Sequence, residues 1–373
     1  MKKKSMFKHY RKKKQIKNTP KYKTYPKFVQ TKRNFSIKQF FTSVKGLLLL
    51  FVTSLLFVIL VIPAFMVSLY QKETTSRANE VPNEQLDHTP NEDDVTIAVF
   101  RTETEQVEEV PLEKYVSQVV ASEMPTTFEL EALKAQSVAA RTYIIDHLLH
   151  DQDSEVLDDE SDQVYKNEEE LRKIWGKNFH ENMEKLQQAV QATKGKIITY
   201  NNEPITAAYF STSNGYTENS EDYWEQELPY LRSVESPWDK DSPKFTDQTI
   251  YPRNEIESKL GITIPNNAVF EISRTNSNRV AYVTIDKEKF TGREIREKLS
   301  LPSSDFTIKQ NEDYLIFTTK GFGHGIGMSQ YGANGMAKEG KSFEDIIHHY
   351  YQDVAIQSVE ELDHAVQTTK VNE

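Results

Sequence analysis

The chain has 373 residues, with 46 Lys and Arg against 56 Asp and Glu, and a formal net charge of −10 at pH 7. It contains no cysteine, which excludes disulfide bonds and thiolate metal sites. Residues 1–46 carry 16 basic and no acidic residues, so the remainder has a balance of −26. Such an acidic remainder argues against a nucleic-acid partner.

The N-terminal part predicts a membrane anchor. Residues 46–71 contain no charged side chain over 26 positions, and a helix of that length reaches about 39 Å, enough to cross a bilayer with some tilt. The basic residues before it predict a cytoplasmic arm at 1–45, a single-pass helix in the cell membrane at 46–71, and an extracytoplasmic remainder. Residues 72–94, acidic and poor in large apolar residues, predict a tether.

From residue 95 onward the pattern mixes strands and helices and predicts an α+β domain over 95–358. Pro111 begins a helix whose apolar residues recur at i, i+3, i+4, i+7 and i+8, and a second helix follows Pro125. Residues 237–310, with several prolines and short strands, predict an inserted second lobe. A polar tail occupies 359–373.

Glu123 is the candidate catalytic carboxylate. It lies at the corner between the two predicted helices, directly before Met124 and Pro125. Apolar neighbours at such a junction raise the pKa of a carboxyl group by desolvation, which keeps a proton available near neutral pH. The alternative interpretation is an exposed Glu at the end of a helix.

A cluster of hydroxyl and amide side chains follows a predicted strand at 205–211. Ser211, Asn214 and Gly215 belong to it, and aromatic residues flank it. A sugar ligand needs many modest hydrogen bonds together with aromatic stacking, so the segment is a candidate glycan-binding surface. An ordinary β-turn of Ser, Asn and Gly is the alternative.

Seven of the 13 glycines lie between Gly321 and Gly340, and four of them alternate at 321, 323, 325 and 327. Glycine accepts positive φ and lets another backbone or a ligand approach closely. The spacing does not match the dinucleotide fingerprint G-x-G-x-x-G. We therefore expect a site that needs bare backbone here, with a Gly-rich turn between a strand and a helix as the alternative.

Four blocks of sequence, taken in order, carry a resemblance. The blocks are VPLEKYV at 110–116 leading to ASEMP at 121–125, EALKAQSVAARTY at 131–143, FSTSNG at 210–215, and GHGIGMSQYG at 323–332. On these blocks the chain resembles the family of stage II sporulation protein D, which also contains the amidase enhancer protein.

The resemblance implies a membrane-anchored lytic transglycosylase that cuts peptidoglycan between N-acetylmuramic acid and N-acetylglucosamine during engulfment in sporulation. Glu123 matches the family's catalytic glutamate and would act as the single general acid and base, giving 1,6-anhydro ends. The implied partners are glycan strands and stage II sporulation proteins P and M. Because some relatives hold a metal through Cys and His and this chain has no Cys, no metal or other cofactor is carried over. The candidate glycan-binding residues are Arg141, Ser211, Asn214, Gly215, His324, Gly325, Ser329, Gln330 and Tyr331.

A non-catalytic alternative stays open. The same domain would bind glycan and activate a partner cell-wall amidase, as the name amidase enhancer suggests. Glu123 separates the two hypotheses, because a binding module tolerates Gln at this position and an enzyme does not.

Overall fold

The computed structural model describes residues 95–150, 155–159 and 161–360, which belong to one unit of the chain, Thr89–Glu373. In chain order its elements are β1 (Thr96–Arg101), β2 (Gln106–Pro111), α1 (Leu112–Glu123), α2 (Leu130–His150), β3 (Val156–Leu157), α3 (Glu168–Trp175), α4 (Phe179–Ala192), β4 (Lys196–Tyr200), β5 (Glu203–Pro204), β6 (Tyr209–Phe210), α5 (Glu221–Trp224), β7 (Thr246–Pro252), α6 (Arg253–Leu260), β8 (Phe270–Arg274), β9 (Val280–Ile285), β10 (Glu288–Thr291), α7 (Gly292–Leu299), β11 (Phe306–Gln310), β12 (Tyr314–Lys320), β13 (Met328–Ser329), α8 (Gln330–Lys338), α9 (Phe343–Tyr350) and β14 (Ala355–Ser358).

In this part of the chain, no helix combines the length and the apolar character that a membrane crossing requires. The longest, α2, carries charged side chains such as Lys134, Arg141 and Asp146. The expected fold, a transmembrane helix followed by a mixed domain, is therefore corrected to a mixed helix-and-strand α+β fold. The predicted arm, span and tether at 1–94, and residues 361–373 of the predicted tail, lie outside the described residues.

The larger hydrophobic core is built around α1 and α2. The helix predicted after Pro111 is confirmed as α1, and its apolar face, Tyr115, Val116, Val119 and Val120, is fully buried. The alanines of α2 are buried as well, and their small side chains let α1, α4, α8 and α9 pack closely on it. The three-stranded sheet β14-β4-β5 packs on the same helix.

A second hydrophobic core lies later in the chain. It draws its buried side chains from Ile256 to Phe317, and two antiparallel sheets, β11-β12-β7 and β10-β9-β8, surround it together with α6 and α7. This core therefore begins and ends later than the predicted lobe at 237–310. Trp238, inside the predicted lobe, packs instead against the larger core.

The glycine-rich segment connects β12 to β13 and runs against the hydroxyl-rich segment. β13 pairs in parallel with β6, Met328 opposite Tyr209, and single bridges join Thr212 to Phe322 and Glu218 to Ile326. The four alternating glycines have φ values of 82°, 110°, 95° and 76°. Two segments that the sequence singled out separately thus form one surface.

At Gly327 a positive φ coincides with the close approach of another backbone. Its φ is +76°, and a Cβ built on it would lie 2.0 Å from the carbonyl oxygen of Ala208. Gly340 has a similar φ of +84° but nothing within 4 Å of its Cβ position. Substituting each of these two glycines therefore separates the free-energy cost of the positive φ, which both share, from the cost of a steric clash, which only Gly327 has.

We expect Gly340→Ala to lower the free energy of unfolding by about 1 kcal/mol, the cost of placing a side chain in the left-handed region. Gly327→Ala adds a clash with a backbone atom and should cost at least about 2 kcal/mol more. Urea unfolding of both variants measures the difference. Equal losses would mean that conformation alone selects glycine at 327.

Candidate active site

Glu123 is the last residue of α1 and is half-buried. Its Oε1 accepts a hydrogen bond from the backbone N–H of Val164 at 3.2 Å. Its Oε2 accepts from the side-chain amide of Gln330 at 3.4 Å. The carboxylate is therefore contacted by neutral donors from two different parts of the chain.

The corner after Glu123 is held in place by two long-range contacts. The Lys185 ammonium, on α4, donates to the carbonyl oxygens of Thr126 at 2.8 Å and Phe128 at 2.5 Å. Asn334, on α8, accepts from the backbone N–H of Glu129 at 2.8 Å. These contacts fix the backbone that positions the candidate acid.

Two tyrosines and one glutamine lie beside this carboxylate. The Tyr115 hydroxyl donates to Gln163 Oε1 at 3.1 Å, and Gln163 Nε2 donates to the Tyr209 hydroxyl at 2.9 Å. Burial, with a smaller contribution from the charge of Glu123, raises the pKa of both phenols well above the usual value, so both stay protonated. The sequence analysis missed this group, since Tyr115 fits the apolar face of a helix and Gln163 belongs to no motif.

Ser329 and Asp239 form a buried polar centre behind the glycine-rich segment. The Ser329 hydroxyl donates to Asp239 at 2.5 Å and accepts from the N–H of Gly332, capping α8. Asp239 also accepts from the hydroxyls of Ser213 at 2.8 Å and Ser236 at 2.5 Å. The Ser329 hydroxyl is thus buried and engaged inside the protein, so its contribution is to hold the start of α8.

His324 is neutral in the folded chain. Its Nδ1 accepts from the N–H of Ile326 at 3.0 Å, which leaves the hydrogen on Nε2 to be donated to the carbonyl oxygen of Tyr209 at 3.1 Å. Burial, and then the positive charge of Arg296, lower the pKa of His324 to about 3. The imidazole therefore positions β6 and is not a proton donor at neutral pH.

Two other predicted residues, Asn214 and Gly325, contact polar groups of the chain segment that forms the second core. The Asn214 side-chain amide donates to the carbonyl oxygen of Ser277 at 2.7 Å and to Asp305 at 2.9 Å. A Cβ on Gly325 would lie 2.4 Å from the guanidinium of Arg279. Gly215, in contrast, has open space at its Cβ position.

Arg141 lies away from the candidate acid. Its fully buried guanidinium makes two hydrogen bonds to Glu113, at 2.9 and 2.6 Å. Glu113 is ten residues before Glu123 on α1, about 15 Å along the helix axis. Arg141 therefore joins α2 to the opposite end of α1.

A surface pocket of about 560 Å³ begins two residues after Glu123. Tyr331, next to the Gln330 that contacts Glu123, packs edge-on against Phe128 with ring centroids 4.9 Å apart; its N–H donates to the carbonyl oxygen of Ser211 at 3.0 Å. The pocket is lined by Pro125, Thr127, Phe128, Trp238, Asp241, Tyr331, Asn334, Gly335, Lys338 and Glu339.

Within the described residues, no group of three or more His, Asp or Glu has the arrangement of a metal site.

Comparison with known proteins agrees with this arrangement of motifs. The model of the stage II sporulation protein family matches residues 100–200. Stage II sporulation protein D of Bacillus amyloliquefaciens is 46% identical over 316 residues, covering 80% of this chain and 92% of that protein. The chain belongs to the stage II sporulation protein D family. The protein of the same name in Bacillus subtilis is 50% identical over 270 residues, covering 70% of this chain and 79% of the relative.

A more distant relative is the amidase enhancer of Bacillus subtilis, which is 29% identical over 299 residues. That match covers 64% of this chain and 40% of the relative. Both proteins named in the resemblance are thus found among the relatives of this chain.

The neutral His324 predicts a specific pH dependence of stability. Between about pH 3 and pH 6.5 the unfolded chain protonates this histidine and the folded chain does not. The unfolded state then binds more protons, so the free energy of unfolding falls as the pH falls.

We expect this fall between pH 6 and 5 to be steeper in the wild type than in His324→Gln, by up to about 1.4 kcal/mol per pH unit. Gln keeps an N–H donor for the carbonyl oxygen of Tyr209 and does not titrate. Urea unfolding at several pH values measures the slopes, and His180→Gln, at an exposed position, should keep the wild-type slope. Equal slopes for wild type and His324→Gln would contradict the neutral assignment.

Proposed function

We propose that this protein is a lytic transglycosylase that cleaves peptidoglycan between N-acetylmuramic acid and N-acetylglucosamine during engulfment in sporulation. The observation that carries the proposal is the placement of Glu123. Its carboxylate accepts hydrogen bonds from Val164 and Gln330, and Pro125 and Tyr331, which are close in sequence to Glu123 and to Gln330, line a pocket with aromatic side chains. Family membership supports the sporulation context. Peptidoglycan as substrate requires the domain to lie on the extracytoplasmic side.

One carboxylate is sufficient for this reaction. Glu123 gives its proton to the glycosidic oxygen as the bond from that oxygen to C1 of the muramic acid breaks. The ionised carboxylate then takes the proton of the muramic acid 6-hydroxyl as O6 bonds to C1. The product is a 1,6-anhydro sugar, Glu123 is protonated again, and no water is consumed. A hydrolase needs a second carboxylate.

Of two candidates for the second acid of a hydrolase, Glu218 and Asp222, the first is already engaged elsewhere. Glu218 is buried, and its Oε2 accepts from the hydroxyls of Thr275 at 2.7 Å and Ser277 at 2.6 Å. Its hydrogen bonds hold it against the second core. This favours internal attack by the 6-hydroxyl over attack by an activated water.

The pocket after Glu123 supplies the features of a saccharide site. Tyr331 and Trp238 are half-buried, and aromatic faces pack well on the apolar faces of sugar rings. Thr127 and Asn334 add polar groups at the pocket wall. We propose that glycan lies in this pocket with the scissile bond at Glu123. We also propose that stage II sporulation proteins P and M act on the same peptidoglycan of the cell wall.

A second candidate function rests on the relative named amidase enhancer. In that case the domain binds glycan without cleaving it and activates a partner amidase. The two candidates differ in what they require of Glu123.

We expect Glu123→Gln to reduce cleavage of purified peptidoglycan by about 10⁴-fold or more, because general acid and base assistance contribute about 10²–10⁴-fold and one group does both. Gln keeps the shape of the side chain but cannot donate and reclaim a proton. Glu129→Gln, at an exposed position on the same corner, is the matched control and should cleave at the wild-type rate. Mass spectrometry of released products from the full chain measures both.

The products also test the reaction type. Anhydro products are about 18 Da lighter than those of hydrolysis, because the 6-hydroxyl replaces water. Reducing-end products from the wild type would point to a hydrolase. A wild type that binds glycan but releases no products, together with a Glu123→Gln variant that binds glycan equally well, would favour the amidase activator. Cleavage by Glu123→Gln at the wild-type rate would contradict the assignment of Glu123.

A further inference from the structure

Two neighbouring residues of one segment contact the candidate acid and a tyrosine: Val164 contacts Glu123, and Gln163 contacts Tyr209. We call residues 161–167, which precede α3, the strap. The backbone N–H of Val164 lies 3.2 Å from Glu123 Oε1, and Gln163 Nε2 lies 2.9 Å from the Tyr209 hydroxyl oxygen. The phenol and the carboxylate therefore face the same short piece of backbone.

The direction of the hydrogen bonds sets the role of the Tyr209 hydroxyl. Tyr115 is fully buried and uses its hydrogen to donate to Gln163 Oε1, since a buried donor needs an acceptor. The amide nitrogen of Gln163 is then left to donate to Tyr209. Because Tyr209 accepts from Gln163, its own hydrogen is available for donation to a different acceptor.

The electrostatic coupling agrees with this geometry. The charge of Glu123 is the second cause, after burial, of the raised pKa of Tyr209, so the phenol keeps its hydrogen while Glu123 is ionised. The amide of Gln330, the contact from α8, is neutral. Titratable groups that contact the strap or the corner after Glu123 include Tyr115 on α1, Tyr143 on α2, Asp162 on the strap itself, Lys185 on α4 and Tyr209 on β6.

We propose that Tyr209 is a positioning residue for Glu123: its phenol hydrogen, turned away from Gln163, is donated to the Glu123 carboxylate and stabilises the ionised form. The inference deepens the proposed function, on which its catalytic meaning rests. A single carboxylate must release a proton and take it back, and a half-buried position alone favours the protonated form. A neutral donor offsets that preference without adding a charge.

The test follows the ionisation of Glu123 directly. Carboxyl groups of the full chain are labelled with ¹³C-glutamate, and the Glu123 signal is identified by its loss in Glu123→Gln. We expect Tyr209→Phe to raise the midpoint of the Glu123 titration by about one pH unit, the size expected for loss of a hydrogen bond to a charged group. Tyr143→Phe, which removes a hydroxyl that donates to Asp162 on the same strap, should leave the midpoint unchanged.

A second variant tests the proposal in a chain that keeps Tyr209, so that a local structural change caused by Tyr209→Phe cannot decide the result. Gln163→Met removes the amide that orients the phenol and should raise the same midpoint, and the double variant should give no more than Tyr209→Phe alone. An unchanged midpoint in both single variants overturns the proposal, as does an equal rise in Tyr143→Phe.

The kinetic readout separates this proposal from the proposed function. If the wild type cleaves peptidoglycan, the alkaline limb of its kcat/KM profile should move to higher pH in Tyr209→Phe by the same amount as the titration. A loss of activity equal at every pH, with an unmoved limb, overturns the positioning role. If the wild type does not cleave, the proposed function fails, and the NMR midpoints still decide whether Tyr209 stabilises ionised Glu123.

Discussion

The close backbone contact between β6 and β13 is the constraint on which the candidate site depends. β6 begins with Tyr209, and β13 ends at Ser329, which caps the helix that brings Gln330 to Glu123. The 2.0 Å distance from a Gly327 Cβ position to a backbone oxygen means that this approach requires glycine. Concentrating glycine here weakens the local fold, and the paired strands and the buried polar centre behind them offset that loss.

Asp239 links a third segment of the chain to the contact between β6 and β13. A carboxylate buried this deeply is costly unless its oxygens are hydrogen-bonded. Three serine hydroxyls and one backbone N–H satisfy it, although burial still raises its pKa. Because Ser213 follows β6 and Ser329 ends β13, one side chain fixes both strands against the turn that carries Asp239. The site is thus positioned by polar contacts as well as by the hydrophobic core.

The sequence could predict what depends on local pattern. Apolar spacing predicted α1 and therefore the corner at Glu123, and the alternating glycines predicted a run of positive φ. It could not predict which polar groups meet across the chain. The resemblance makes Arg141 a candidate glycan ligand, and its hydrogen-bond partner in the structure is Glu113, 28 positions away. Gln163 carries no local signal because its two partners come from other elements. The predicted membrane helix at 46–71 lies outside the residues that the structure describes.

A site with one carboxylate is sensitive to the charge of its neighbours. A permanent cation beside Glu123 would hold it ionised and prevent it from acting as an acid, and a second anion would oppose its return to the base form. The donors that contact it from Val164 and Gln330 are neutral, and the nearby phenols stay protonated. His324, which contacts the carbonyl oxygen of Tyr209, is also held neutral by burial and by the positive charge of Arg296. Neutral hydrogen-bond donors such as the Val164 N–H and the Gln330 amide therefore suit a reaction in which the same acid both gives and takes the proton.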